Sequence, residues 1–211
     1  MPKRTKNDKM ILGSGKNYIM EFETEKGMPS KEEICVPENL LGKTKGGAQL
    51  LYSVEIHEES DDLGTVTQDV INAEDARLKL GVITFNGNTL SKLIDRCKVT
   101  EKDGLRIVHI GGAGNAQGKD WVVCFHHIDK KAGDIWVMVR GANQAGLELV
   151  FATDAASKIE PEFKAKPQDD DGTLITYIEE IDAESAAAAN VEPEEQAEEQ
   201  TEEQAEEQTE E

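Results

Sequence analysis

Four histidines and three cysteines are the side chains in this chain that could hold a metal or act as nucleophiles, so their spacing is the first thing to read. His126 and His127 are adjacent, so on a strand they face opposite sides and cannot chelate one ion, while His57 and His109 stand alone. Cys35, Cys97 and Cys124 are odd in number, widely spaced and form no Cys-x-x-Cys pair. They read as reduced thiols of a protein made in a cytoplasm. Cys124 and His126 do share a strand face, the arrangement that nucleophilic catalysis needs. In an apolar strand such a pair reads as packing, and no loop stands ready to form an oxyanion hole.

Two loops invite a ligand and fail on position. GGAGNAQGKD, residues 111–120, has Ala113 where a phosphate-binding loop ending at Gly118 needs Gly, and Asp120 where it needs Ser or Thr. Read as a dinucleotide fingerprint from Gly112, it has Gln117 at the third glycine position. It is better read as a turn between strands, with glycine supplying positive φ. QDDDG, residues 168–172, resembles the start of a calcium loop, yet with Gly172 as sixth position the first and twelfth ligands are Pro167 and Ile178. An ordinary acidic turn is the expectation. No general acid, base and nucleophile converge, and the expectation is a protein with no catalytic residues, metal or cofactor.

The elements that position these residues say more. Between residues 120 and 180 the chain reads as five short strands, DWVVCFHHID, GDIWVMVRG, LELVFAT, IEPEFKA and TLITYIEE, separated by turn formers. In IEPEFKA, Ile159, Pro161, Phe163 and Ala165 alternate with Glu160, Glu162, Lys164 and Lys166, the pattern of a strand with one wet face. In the first two strands both faces are apolar: Trp121, Val123 and Phe125 oppose Val122, Cys124 and Ile128, and Ile135, Val137 and Val139 oppose Trp136 and Met138. Such strands must be covered on both sides. One cover is the core; a neighbouring subunit is the favoured second cover, with an internal helix as the alternative.

Upstream, NYIMEFET reads as a strand, and Ser30 followed by Glu33 fits a capping box opening a helical turn at KEEIC. VPENLLGKTKGGA reads as irregular. QLLYSVEIHEES and TVTQDVINAEDARLKLGVITF flank the tip Asp61-Asp62-Leu63-Gly64 and predict a long hairpin with polar, poorly alternating arms that project from the body. NTLSKLIDRC predicts one amphipathic helix capped by Asn88, with Leu90, Leu93, Ile94 and Cys97 as its stripe. KDGLRIVHI resumes the strands after a turn at Asp103 and Gly104.

The net charge of −20 over 211 residues is unevenly spread. Residues 181–211 hold 13 of the 43 acidic residues and no Lys or Arg, leaving 30 acids against 23 bases, a net −7, for the body at 1–180. A mildly acidic body argues against tight nucleic-acid binding. Lys3, Arg4, Lys6 and Lys9 form a basic N-terminal arm. The EEQA and EEQT repeat that ends the chain has no side chain able to bury much surface, and predicts a disordered acidic tail over 181–211. No run of about 18 apolar residues is present to span a membrane, and no secretory signal is read at the N-terminus.

KGGAQLLYSVEI, the DDLG hairpin, GVITFNGNTLSKL, RIVHIGGAGN, RGANQAGLELVFATD and above all IEPEFKAKPQDDDGTLITYIEE together resemble the tail tube, or major tail, protein of long-tailed bacteriophages over residues 10–180. The resemblance implies a mainly β protein, a sandwich or barrel with one flanking helix and a projecting hairpin, that forms hexameric rings stacking into a tube. It implies partners among its own copies, the tape measure and the tail terminator, with transient, non-specific passage of DNA. It also implies assembly in the bacterial cytoplasm and residence in the virion tail. Subunit or ring contacts are then expected at Trp121, Val123, Trp136 and Met138 in the body and at Glu58, Asp61, Asp62, Leu63 and Asp69 on the hairpin. Two other readings stand beside it: the inner-tube protein of a contractile tail or secretion device, and a ligand- or carbohydrate-binding β-sandwich that stacks a sugar on Trp121 or Trp136.

Overall fold

The strands whose two faces are both apolar lie at the centre of one large antiparallel sheet. The computed structural model describes residues 11, 13–60, 67–130 and 133–181. Within them run β1 (Gly15–Glu21), α1 (Lys31–Ile34), β2 (Leu40–Gly42), β3 (Thr44–Ser60), β4 (Thr67–Val82), α2 (Gly87–Leu93), β5 (Cys97–Lys102), β6 (Leu105–Ile110), β7 (Trp121–His127), β8 (Ile135–Asn143), β9 (Glu162–Ala165) and β10 (Thr176–Glu179). The main sheet has eight strands in the order β2-β1-β7-β8-β9-β4-β3, with β10 also paired to β8. β5 and β6 form a separate hairpin turned at Asp103 and Gly104, both at positive φ, as the Asp-Gly pair predicts.

Side chains alternate across β1, β7 and β8 and divide the buried residues into two layers. Ile19, Val123, Ile135, Val137 and Val139 join Leu78, Leu80 and Val82 of β4, Phe163 of β9 and Leu93 of α2 in the larger core. Tyr18, Val122, Cys124, Trp136 and Met138 point the other way and are sealed by Ile34 of α1, with Met28 and Cys35 around it. The second cover of the central strands is therefore the chain itself. This corrects the expectation of a neighbouring subunit there, and the element responsible is the short helix that the capping box announced. Ser30 Oγ accepts from the Glu33 amide while Glu33 Oε2 accepts from the Ser30 amide. That fixes the helical turn and drives Ile34 onto the sheet.

Other expectations are met or revised locally. IEPEFKA keeps its alternation, with Ile159, Pro161 and Phe163 buried and Glu160 exposed. LELVFAT does not form a strand, because the ladder positions beside β8 are taken by β9 and β10. Leu147 and Leu149 rest on the core from an irregular segment, and Phe151 is 85% exposed. α2 is capped by Asn86 instead of Asn88, since the Asn86 side chain accepts from the amides of Asn88 and Thr89. It also ends early: Ile94 is extended, and Cys97 of the predicted stripe opens β5. The 111–120 loop is a turn with Gly111, Gly112 and Gly118 at positive φ. Its Gln117 amide donates to the carbonyls of Ser91 and Ile94 and so satisfies the end of α2. The acidic repeat lies outside the described residues.

Candidate functional site

β3 and β4 form a hairpin far longer than the sheet that carries it. Their ladder runs from Thr44 opposite Val82 to Ser60 opposite Thr67, and its outer part, from Leu51 opposite Arg77 onward, reaches about 30 Å at the usual strand rise. β9 braces only the base, pairing Arg77, Leu78 and Lys79 with Lys164, Phe163 and Glu162. On one side of that base Leu78 and Phe163 are buried in the core. On the other, Arg77 donates to Asp75 at 2.6 Å and to Glu162 at 2.8 Å, and Lys164 lies 3.2 Å from Asp75. The hydrogen bond from Arg77, then that from Lys164, holds the Asp75 carboxyl below the ordinary carboxylate range. A packed face and a charged face together set the angle at which the hairpin leaves the body.

Beyond the base the core-facing side of the hairpin continues into solvent. Leu50, Tyr52, Val54 and Ile56 occupy alternate positions of β3 and so share the face that Leu78 and Ala76 present inward. Ile71 stands directly opposite Ile56 after a bulge that skips Asn72. All five of these residues are at least 40% exposed. The Tyr52 hydroxyl donates to Glu74 Oε1 at 3.0 Å, which pushes the phenol above its ordinary value and ties the stripe across the two strands. Among the described residues no strand pairs with the outer edge of β3, so its backbone amides and carbonyls form an open ladder. The expectation of polar, poorly alternating arms is thus revised. The alternation Leu50, Tyr52, Val54, Ile56 was present in the sequence, masked by the neighbouring Leu51 and by the bulge in β4.

The residues expected to make contacts fall into four groups. Val123 and Met138 are buried in opposite layers of the body, and Trp136 is 7% exposed, stacked on His126 with the Lys31 ammonium 4.2 Å from its ring centroid. None of these three presents a surface to a neighbour, because the body closes over them. A sugar has no open face of Trp136 to stack upon. Trp121 is half-buried beside Lys119 and lines an open cleft of about 490 Å³ with Asn88, Lys92 and Gln117. Glu58 and Asp69 are exposed and directly opposite each other near the far end of the hairpin. Asp61, Asp62 and Leu63 lie outside the described residues.

The side chains with catalytic potential are engaged in structure. His126 Nε2 meets Asp134 Oδ2 at 2.7 Å, so it serves that carboxylate rather than Cys124, and Cys124 Sγ faces Cys35 Sγ instead. In the QDDDG turn Asp169 accepts from the Thr173 amide, and the buried Gln168 donates to the carbonyls of Met138 and Leu174. Among the described residues no group of three His, Cys, Asp or Glu side chains is placed to hold a metal ion, and no helix is long and apolar enough to cross a membrane. Comparison with protein-family models found none that matches this chain, and comparison with curated proteins found no relative.

Proposed function

We propose that this chain is a structural subunit that joins copies of itself into stacked rings, the tail tube of a long-tailed bacteriophage and the conduit for its DNA. The observation that carries the reading is the hairpin: an apolar stripe continuous with the core, an open backbone edge and a rigid base, all turned to solvent. An exposed apolar stripe of this length is costly to a monomer and is the usual mark of an interaction surface. A strand edge met by the edge of a second copy extends the sheet from one subunit to the next, and a repeated heterologous contact of this kind closes into a ring. The −7 body charge fits a wall past which DNA slides without being held. Tape measure and tail terminator proteins are the further partners, and the virion tail is the location.

Negative-stain microscopy of the purified protein tests this. Rings or tubes of uniform bore are expected, and monomers that persist at high concentration after removal of residues 181–211 would sink the reading. Leu50→Ser, Tyr52→Ser and Ile56→Ser together are expected to lower the melting temperature by only a few degrees and to abolish assembly, because these side chains are 40–58% exposed. If the triple variant assembled normally, the stripe would not be the joining surface.

A further inference from the structure

Cys35 and Cys124 stand 89 positions apart in sequence and bring their sulfurs to 3.9 Å. The two thiols differ in every respect that governs reactivity. Cys124 lies in the middle of β7 and is fully buried, whereas Cys35 closes α1 at the surface and is partly exposed. A hydrogen bond to Cys124 lowers the Cys35 thiol below its ordinary value against the opposing effect of burial and of the Glu32 carboxylate, with the Trp136 side chain and the Lys31 ammonium adding to the lowering. The same hydrogen bond, reinforced by burial, pushes Cys124 upward. Cys97 is buried elsewhere, and burial raises its thiol as well. One partly exposed sulfur with a lowered thiol is therefore held 3.9 Å from one buried sulfur with a raised one, the arrangement of an attacking and a resolving cysteine.

We propose that Cys35 and Cys124 form a redox site whose oxidation bonds α1 to the central sheet. With hydrogen peroxide as oxidant, the Cys35 thiolate attacks one peroxide oxygen and becomes a sulfenic acid, and the departing hydroxide takes up a proton as water. The Cys124 sulfur then attacks the Cys35 sulfur, loses its proton, and expels the sulfenic hydroxyl as a second water. The net change is two thiols and one peroxide giving one disulfide and two waters. Bond formation draws the sulfurs to about 2.0 Å. The movement falls on Cys35, at the end of a four-residue helix, because Cys124 is fixed by ladders to both β1 and β8. The crosslink pins the cover over Trp136 and Met138 and closes a long loop, so it constrains the unfolded chain strongly. The site stands without the assembly reading. Its timing rests on that reading: a subunit made with reduced thiols meets oxidants once a particle leaves the cytoplasm.

The full chain treated with dilute hydrogen peroxide and digested without reductant is expected to yield one Cys35–Cys124 crosslinked peptide. Intact mass should fall by two hydrogen atoms, with Cys97 unmodified and dithiothreitol reversing the change. The melting temperature is expected to rise by about 10 °C on oxidation. Cys35→Ser should remove both effects while its own unoxidised melting temperature stays close to that of the parent. Cys124→Ala should abolish the crosslink and leave Cys35 to react with peroxide more slowly than in the parent, because the hydrogen bond that lowers its thiol is gone. Sulfinic acid on Cys35 in the unaltered chain, disulfide-linked dimers through Cys35, or two unmodified thiols would each overturn the proposal. None of these results depends on whether rings form, so this test and the microscopy fail separately.

Discussion

Asp120, immediately before β7, is the point where three separate parts of the chain are tied together. Its carboxylate accepts from Arg140 Nη2 at 2.9 Å and from Lys166 Nζ, while its carbonyl accepts from the Phe22 amide at 2.8 Å. Arg140 also lies over the Phe22 ring at 4.0 Å and donates to the Pro167 carbonyl. Burial pushes the Asp120 carboxyl up, but the hydrogen bonds from Lys166 and Arg140 outweigh it and hold the group below the ordinary carboxylate range. A carboxyl lowered in the folded state stabilises the fold above its unfolded value, and that contribution disappears as pH falls through the lowered value. Asp120→Asn is therefore expected to cost about 1–2 kcal/mol near neutral pH, with the gap to the parent closing as pH drops below about 4. Urea midpoints of both proteins over a pH series read this directly, and a gap independent of pH would contradict it. The sequence named Asp120 only as the residue that spoils a phosphate loop. Its partners come from strands far away in the chain, so nothing in the local pattern could announce its role.

At the scale of elements, the cover of the second layer was half legible. The two-sided apolarity of β7 and β8 stated that two covers were needed, and Ser30 with Glu33 stated that a helical turn began at Lys31. What joins the two statements is tertiary: α1 has one buried side chain and no stripe, so its sequence does not show that it seals a sheet. Ile34→Ala is expected to destabilise the protein by about 2–4 kcal/mol by opening a cavity over Val122 and Met138. Ser30→Ala is expected to cost about 1 kcal/mol through the lost cap. Urea unfolding followed by tryptophan fluorescence measures both, because Trp136 lies under the same cover. An Ile34→Ala protein as stable as its parent would show that α1 does not seal the sheet. LELVFAT went astray for the opposite reason. Its residues favour a strand, yet strand formation requires a free ladder position, and β8 has none beside that segment.

For the whole molecule, the mainly antiparallel β architecture followed from turn spacing and alternation, while the strand order did not. β1 lies between β2 and β7, and β9 bridges β8 to β4, pairings set by distant partners. The buried side chains of both layers all fall within residues 18–163. A chain ending at Ile181 is accordingly expected to unfold in one cooperative transition at the melting temperature of the full chain, as read by circular dichroism. A shift of more than a few degrees would place structural weight on the acidic repeat.

The central position of β1 also sets a clock on synthesis. Tyr18 and Ile19 find their ladder partners at Cys124 and Val123, more than a hundred residues later. At ribosomal speeds of about 5–20 residues per second, those partners emerge some 5–20 s after β1 does. The β3–β4 hairpin, whose pairing is local, has that interval in which to form first. β1 waits through it with apolar side chains on both faces and only the short β2 beside it. Until β7 leaves the ribosome β1 therefore lacks its longest ladder, and its pairing is completed only when Trp121–His127 closes against it.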